Sequence, residues 1–214
     1  MNLVLAAVET PLADAWERFC GDLDFVRIHR GSIFDVPCDA MVSPANSFGF
    51  MDGGIDLLYS RFFGWELEAR LQTVIRERHH GELLVGAAEI VETGDAGVPY
   101  LIAAPTMRVP MVLKDSVNPY LAMRAVLLLV KHGVFTDKAR RGDRVGDVVR
   151  TIAVPGLGTG VGVVGPNTCA RQMRAAIDDV LLGAVPFPVS WPVAQNRHVG
   201  LTLGMPSPES KGNV

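Results

Sequence analysis

The sequence predicts an α/β domain in three layers: a central, mostly parallel mixed sheet with helices on both faces. Short apolar runs of strand length alternate along the chain with one-sided helical patterns. Most of those runs are continuously apolar, as in strands covered on both faces. Two of the strands lead into glycine-rich loops that open onto helices, the place where ligands of such sheets sit. With 214 residues, 49% of them hydrophobic and 20% charged, the chain can bury a core without staples and is not a disordered polymer.

Taken in order, 2–8 is an apolar run that reads as a buried strand. Thr10-Pro11 opens a helix to Phe19, with Thr10 expected as its cap and Gly21 closing it. Residues 25–29 alternate apolar and basic side chains as a half-buried strand, and 39–43 form a short apolar one. After a glycine-rich loop, a helix runs over 55–63. Gly64 interrupts it, a second helix covers 65–79, and Gly81 stops that one. Strands follow over 87–91 and 100–104. Asn118-Pro119 reads as a cap plus first-turn proline for a helix over 120–132 that ends at Gly133. Residues 137–149 are polar and read as a loop, 151–154 as a β-branched strand, and 167–182 as a helix with a clean apolar stripe. Residues 199–203 are expected as a strand. One domain is expected over 1–205, followed by a disordered tail over 206–214.

Charge and cysteine use narrow the class. Twenty basic residues face 23 acidic ones, for a net charge of −3, which argues against a dedicated nucleic-acid binder. The three cysteines, Cys20, Cys38 and Cys169, lie far apart, with no zinc spacing and no disulfide framework. A cytoplasmic location follows as the expectation. The apolar start is short and lacks a basic flank, so it reads as a strand, not a signal peptide. The greasiest run, 121–130, contains Arg124 and is too short to span a bilayer, so no membrane partner is expected.

Chemistry concentrates in two loops. The first, 43–56, runs Ser-Pro-Ala-Asn-Ser-Phe-Gly-Phe-Met-Asp-Gly-Gly-Ile-Asp and ends on a helix. Bare glycine backbone lets N–H groups approach an anion, and the helix N-terminus adds partial positive charge. The second, 155–166, holds Gly156, Gly158, Gly160, Gly162 and Gly165 and also ends on a helix. It contains a formal GxGxxG, but Pro166 follows the last glycine and no strand-ending acid lies about twenty residues on. A backbone anion nest is the simpler reading. Two such nests at strand ends suggest one diphosphate held between them.

These residues carry a resemblance to the macro domains, the ADP-ribose-binding modules. The chain has Asn46, then Gly53-Gly54-Ile55-Asp56, then Gly64 eight residues beyond the Asp. The ten-residue spacing from Asn46 to Asp56 is that of macro domains which hydrolyse ADP-ribosyl esters. Gly31-Ser32-Ile33 stands in the place of the family's Gly-Asp-Ile, and Gly158-Thr159-Gly160 up to Pro166 resembles its phosphate loop. The resemblance extends from about Phe25 to Leu182. The chain departs from the pattern where Ser32 replaces the adenine-reading Asp, where Ser43-Pro44 replaces Asn-Ala, and where Asp52 replaces a glycine.

The resemblance implies a cleft for ADP-ribose or a derivative, with no cofactor and no metal. Gly53, Gly54 and Ile55 would meet one phosphate, and Gly158, Thr159, Gly160, Val161 and Gly162 the other. Ser32 and Ile33 would lie at the adenine end, and Asn46 and Asp56 at the distal ribose. Asn46 fits two roles, a ribose-orienting amide or a turn residue bonding its own backbone. Asp56 also fits two, a carboxylate base for a water or a helix N-terminal acid. The activity implied is hydrolysis of an ADP-ribosyl linkage; the alternatives are a binding module without turnover and, more remotely, a nucleotide enzyme of other chemistry. The partner is ADP-ribose or an ADP-ribosylated substrate, nucleic acid included only where it carries that group. His79-His80 reads as a satisfied helix end, Cys38 as a small packed residue, Asp52 as a solvated loop acid, and Phe48 and Phe50 as loop packing or ligand cover.

Overall fold

The computed structural model describes residues 1–137 and 139–203. Among them are strands β1 (Asn2–Ala7), β2 (Val26–Arg30), β3 (Ala40–Ser43), β4 (Glu89–Glu92), β5 (Tyr100–Ala103) and β6 (Thr151–Val154). The helices are α1 (Thr10–Cys20), α2 (Gly54–Phe63), α3 (Glu66–Arg78), α4 (Asn118–His132), α5 (Val145–Val148), α6 (Pro166–Ile177) and α7 (Trp191–Leu203). A single 3-10 turn covers Ile33–Asp35, and a π-turn over Asp178–Leu182 extends α6.

The strands form one sheet in the order β2-β1-β6-β3-β5-β4, parallel throughout except for the antiparallel edge pair β4/β5. Alternate residues of each strand supply opposite faces. Leu3, Leu5, Ile152 and Val154 pack with α1, α4 and α6 around Trp16, while Val4, Ala6, Met41 and Ala153 pack with α2 and α3. The three layers and the mostly parallel sheet are as expected. All the parallel strands deliver their carboxyl ends to one edge, so their connecting loops share one side of the domain.

Some local expectations are corrected. Residues 199–203 belong to helix α7, not to a strand. No side chain of that helix is fully buried, so it has no apolar face for periodicity to reveal, and the run Val-Gly-Leu-Thr-Leu mimics a strand. The legible signal was Ser190 with Pro192: the Ser190 carbonyl accepts from Ala194 N–H at the start of the helix. Thr10 and Asn118 are the first helical residues, with Glu9 and Val117 at the cap positions, and neither makes a side-chain cap. The expected loop 137–149 contains the one-turn helix α5. The expected tail over 206–214 lies outside the described residues.

Glu89 accepts both Arg78 and His79, so the His79 end of α3 is a satisfied helix terminus. Among the described residues, no cluster of three His, Cys, Asp or Glu side chains could hold a metal ion, and no helix is long and apolar enough to cross a membrane. The three cysteines are free and buried; burial pushes the Cys38 thiol up to about 11, as suits a packed side chain.

Candidate functional site

A cleft of about 410 Å³ opens across the carboxyl ends of the strands. Strand order sets its direction. Gly31, Ser32 and Ile33 follow β2 at one end, and Val8 and Glu9 follow β1. The Pro155–Gly162 loop follows β6, the Pro44–Gly54 loop follows β3, and Thr106, Met107 and Pro110 follow β5 at the far end. Every residue expected at the site lines it: Ser32, Ile33, Asn46, Gly53, Gly54, Ile55, Asp56, Gly158, Thr159, Gly160, Val161 and Gly162.

The loop after β3 is fastened from beneath. Thr106 N–H reaches the Pro44 and Ala45 carbonyls, and Thr106 Oγ1 donates to Pro44 at 2.8 Å. Met51 is fully buried, its N–H held by Glu68 Oε2 at 2.6 Å and its carbonyl by Ser60 Oγ at 2.9 Å. With Met51 anchored, Asp52, Gly53 and Gly54 are left at the cleft wall. Gly54 has φ +56°, a conformation that glycine adopts without steric cost. A Cβ on Gly53 or Gly54 would meet nothing within 4 Å, so that side of each glycine is open to the cleft. The first intrahelical bond of α2 runs from Leu57 N–H to the Gly53 carbonyl. The N–H groups of Gly54 and Ile55 therefore begin the helix without an intrahelical acceptor, the usual condition of an anion-accepting helix start.

The loop after β6 is shaped by its own turns. Val163 N–H donates to the Gly160 carbonyl and Val164 N–H to the Gly158 carbonyl, at 2.9 and 3.0 Å. Gly158 has φ +70°. Gly160 is open on the Cβ side, whereas a Cβ on Gly162 would lie 2.5 Å from the Gly158 carbonyl oxygen. Glycine is required at 162 by the fold and left free at 160 by the cleft.

Asn46 fastens its own loop. Its Oδ1 accepts from Phe48 N–H at 3.1 Å and Phe50 N–H at 3.3 Å, and its Nδ2 donates to the Phe50 carbonyl at 2.8 Å. Of the two roles open to it, this is the turn role; one amide hydrogen remains for a ligand. Asp56 is buried and accepts a hydrogen bond from Ser43 Oγ, the last residue of β3. Burial pushes its carboxyl up to about 7, and the Ser43 hydrogen bond opposes that rise only in part.

Ser32 Oγ accepts from Phe34 N–H at 3.3 Å and so caps the 3-10 turn. Ile33 is buried behind it. Asp52 is an exposed acid on the rim. Phe50 lines the cleft, whereas Phe48 packs beneath the Arg108 guanidinium, 5.1 Å from the ring centre. Sequence reasoning missed the β5 end of the cleft, Thr106 to Pro110. The run Ala104-Pro105-Thr106-Met107 carries no glycine or charge to mark it, and only the sheet order brings it beside the Asn46 turn.

Comparisons with known proteins agree with this architecture. A family model described as Macro domain matches residues 42–173. An uncharacterised protein of Aquifex aeolicus is 31% identical over 148 residues, covering 69% of this chain and 78% of its own length. Another from Aeropyrum pernix is 28% identical over 149 residues, 70% of this chain and 68% of its own. Among solved structures, the macrodomain of Mycobacterium tuberculosis DarG superposes with TM-score 0.55 at 19% identity, over 70% of this chain and 87% of that one. A variant of the Oceanobacillus iheyensis macrodomain, solved with ADPR, superposes with TM-score 0.53 at 18% identity, over 68% and 73%. The strand order, the two loops at the strand ends and the match over residues 42–173 lead to one conclusion: the chain belongs to the macro domain family.

Proposed function

We propose that this chain binds ADP-ribose in the cleft and hydrolyses an ADP-ribosyl linkage there. The observation that carries the reading is the pairing of two backbone-lined loops across one cleft, each open toward it at a glycine, Gly53-Gly54 on one side and Gly160 on the other. Backbone N–H groups and the α2 N-terminus attract a diphosphate without any lysine or arginine in the wall. Relatives of the same fold include a macrodomain solved with ADPR.

In this reading the adenine end lies at Ser32 and Ile33, and the distal ribose lies beyond the phosphates toward Asn46 and Asp56. The cleavage step needs a water positioned at the anomeric carbon, where positive charge develops. A carboxylate beside it orients the water and stabilises that charge. Asp56 is the acid at that position, and burial places its titration near neutrality, the range a general base requires. The Asn46 amide, anchored by the loop backbone, presents its remaining hydrogen to a ribose hydroxyl.

One observation favours a binding module without turnover: Asp56 is held by Ser43, so its carboxylate is partly occupied before any water arrives. The two readings separate experimentally. Calorimetry should show ADP-ribose binding and AMP binding much more weakly, and release of free ADP-ribose should be followed over ester-linked, phosphate-linked and base-linked substrates. Equal affinity for AMP sinks the two-loop model. Binding without turnover of any substrate leaves the module.

A further inference from the structure

Just beyond the β5 end of the cleft, where Pro110 lines it, the chain enters an exposed stretch that the ADP-ribose reading does not use. After Met107, whose backbone bridges to Asn46, the chain runs Val109-Pro110-Met111-Val112 before turning inward at Leu113. All four are exposed, Val109 at 44%, Met111 at 49% and Val112 at 65%, and Pro110 lines the cleft. Four consecutive exposed apolar residues are a liability for a soluble surface unless a ligand or partner uses them.

The stretch is held at both ends. Ser47 N–H donates to the Arg108 carbonyl, and Leu113 N–H donates to the Gly162 carbonyl at 2.7 Å. Leu113 is buried, packed so closely on the β6 loop that its side chain lies 2.9 Å from where a Cβ on Gly162 would stand. This lip is therefore built onto the same loop that would hold a phosphate. Phe50, 54% exposed, and Val161, 59% exposed, line the cleft from the β3 and β6 loops.

The charges nearby disfavour an anionic occupant. Arg108, which directly precedes the stretch, is taken by Glu82 through two contacts, at 2.7 and 3.2 Å. Asp52 adds an exposed carboxylate to the rim.

We infer that the lip Val109–Val112, with Phe50 and Val161, is the subsite for the group attached to the distal ribose, and that this group is uncharged and apolar. The inference rests on the ADP-ribose reading of the cleft. Sheet order supports the placement: with adenine at the β2 end and the phosphates over β6 and β3, anything joined to the distal ribose leaves over β5. An apolar wall rewards each buried methylene of such a group and offers a phosphate or carboxylate nothing in exchange for its lost water.

The test uses the full chain and calorimetry with ADP-ribose, its 1″-O-methyl and 1″-O-benzyl glycosides, and ADP-ribose 1″-phosphate. The benzyl compound should bind about tenfold or more tightly than the methyl one, the scale set by added apolar bulk in a fitting pocket. The 1″-phosphate should bind no better than the methyl compound. The triple variant Val109→Ser, Met111→Ser, Val112→Ser changes only exposed side chains. It should abolish the benzyl advantage and leave the affinity for the methyl compound unchanged. A benzyl compound no tighter than the methyl one, an advantage that survives in the triple variant, or a 1″-phosphate that binds tightest overturns the inference. Failure of ADP-ribose itself to bind overturns the cleft reading as well.

Discussion

The Ser43 hydroxyl donates a hydrogen bond to the Asp56 carboxyl across 13 residues of chain, with both side chains buried where β3 ends and α2 begins. Tyr59, one turn along α2, is also fully buried and donates to the Val42 carbonyl at 3.0 Å. Both contacts tie α2 to the end of β3. They fix the position of the helix N-terminus, and with it the direction in which the Gly54 and Ile55 N–H groups face. Burial at this junction shuts Asp56 away from bulk water, which makes the carboxylate form costly, and the Ser43 hydrogen bond offsets that cost only in part.

That cost should appear in stability. The Asp56 carboxyl titrates near 3.8 when unfolded and about 7 when folded. The folded state therefore holds this proton over the wider range, so the stability contributed by Asp56 is full below about pH 4, falls as pH rises and is lost once pH passes 7. Asp56→Asn keeps an acceptor for Ser43 and removes the titration. Relative to the variant, the wild type should lose up to about 4 kcal/mol between pH 4 and pH 8, the value of a three-unit shift. Urea midpoints measured for both proteins at both pH values check this, and a constant difference between them refutes it.

The same group sets the expected rate profile. If ionised Asp56 activates the water, kcat/KM should rise with pH through about 7. Asp56→Ala should keep ADP-ribose affinity within a few-fold and lower hydrolysis by on the order of 10²-fold. A fully active Asp56→Ala moves the assignment to Asp52, the next carboxylate on the cleft.

Asn46→Ala is expected to act on the loop as well as on the ligand. Three hydrogen bonds tie its amide to the Phe48 and Phe50 backbone. Their removal should lower stability by about 1–3 kcal/mol and weaken both binding and rate. Thermal melts beside calorimetry separate the two effects: an unchanged melting temperature with lost binding would assign Asn46 to the ligand alone.

Gly53→Glu and Gly160→Glu offer a clean block of the cleft. Neither glycine has a positive φ, and a Cβ at either meets nothing within 4 Å, so folding should survive. The added carboxylate would occupy the phosphate space and repel the anion. Both variants should melt like the wild type and lose ADP-ribose binding in calorimetry. Gly54→Glu should lose binding too, with a further penalty of about 1–2 kcal/mol from its left-handed backbone. Retained affinity in folded Gly53→Glu and Gly160→Glu proteins would place the ligand elsewhere.

Ser32→Asp probes the adenine end. The serine oxygen already caps the turn by accepting from Phe34 N–H, and an aspartate can do the same while adding a charged acceptor. ADP-ribose should bind about tenfold or more tightly, since hydrogen bonds to charged groups contribute roughly 1.5–3 kcal/mol. Unchanged or weaker binding in calorimetry means that adenine does not lie at Ser32.

Much of this molecule was readable one residue at a time. Apolar runs and helical stripes depend on neighbours within a turn or two, so strands such as 151–154 and the break at Gly64 stood in the sequence itself. So did the glycines at strand ends, because bare backbone is a local property. Helix α7 escaped because it buries no face, which leaves periodicity nothing to report. The strand order was not readable, and it alone sets β6 between β1 and β3 and so brings the loop at 155–166 opposite the loop at 43–56. Nor could the sequence decide the states of Asn46 and Asp56. An amide bonds whatever backbone the folded loop presents, and a carboxyl titrates according to the water it has lost. Both are set by contacts that exist only once distant segments have packed.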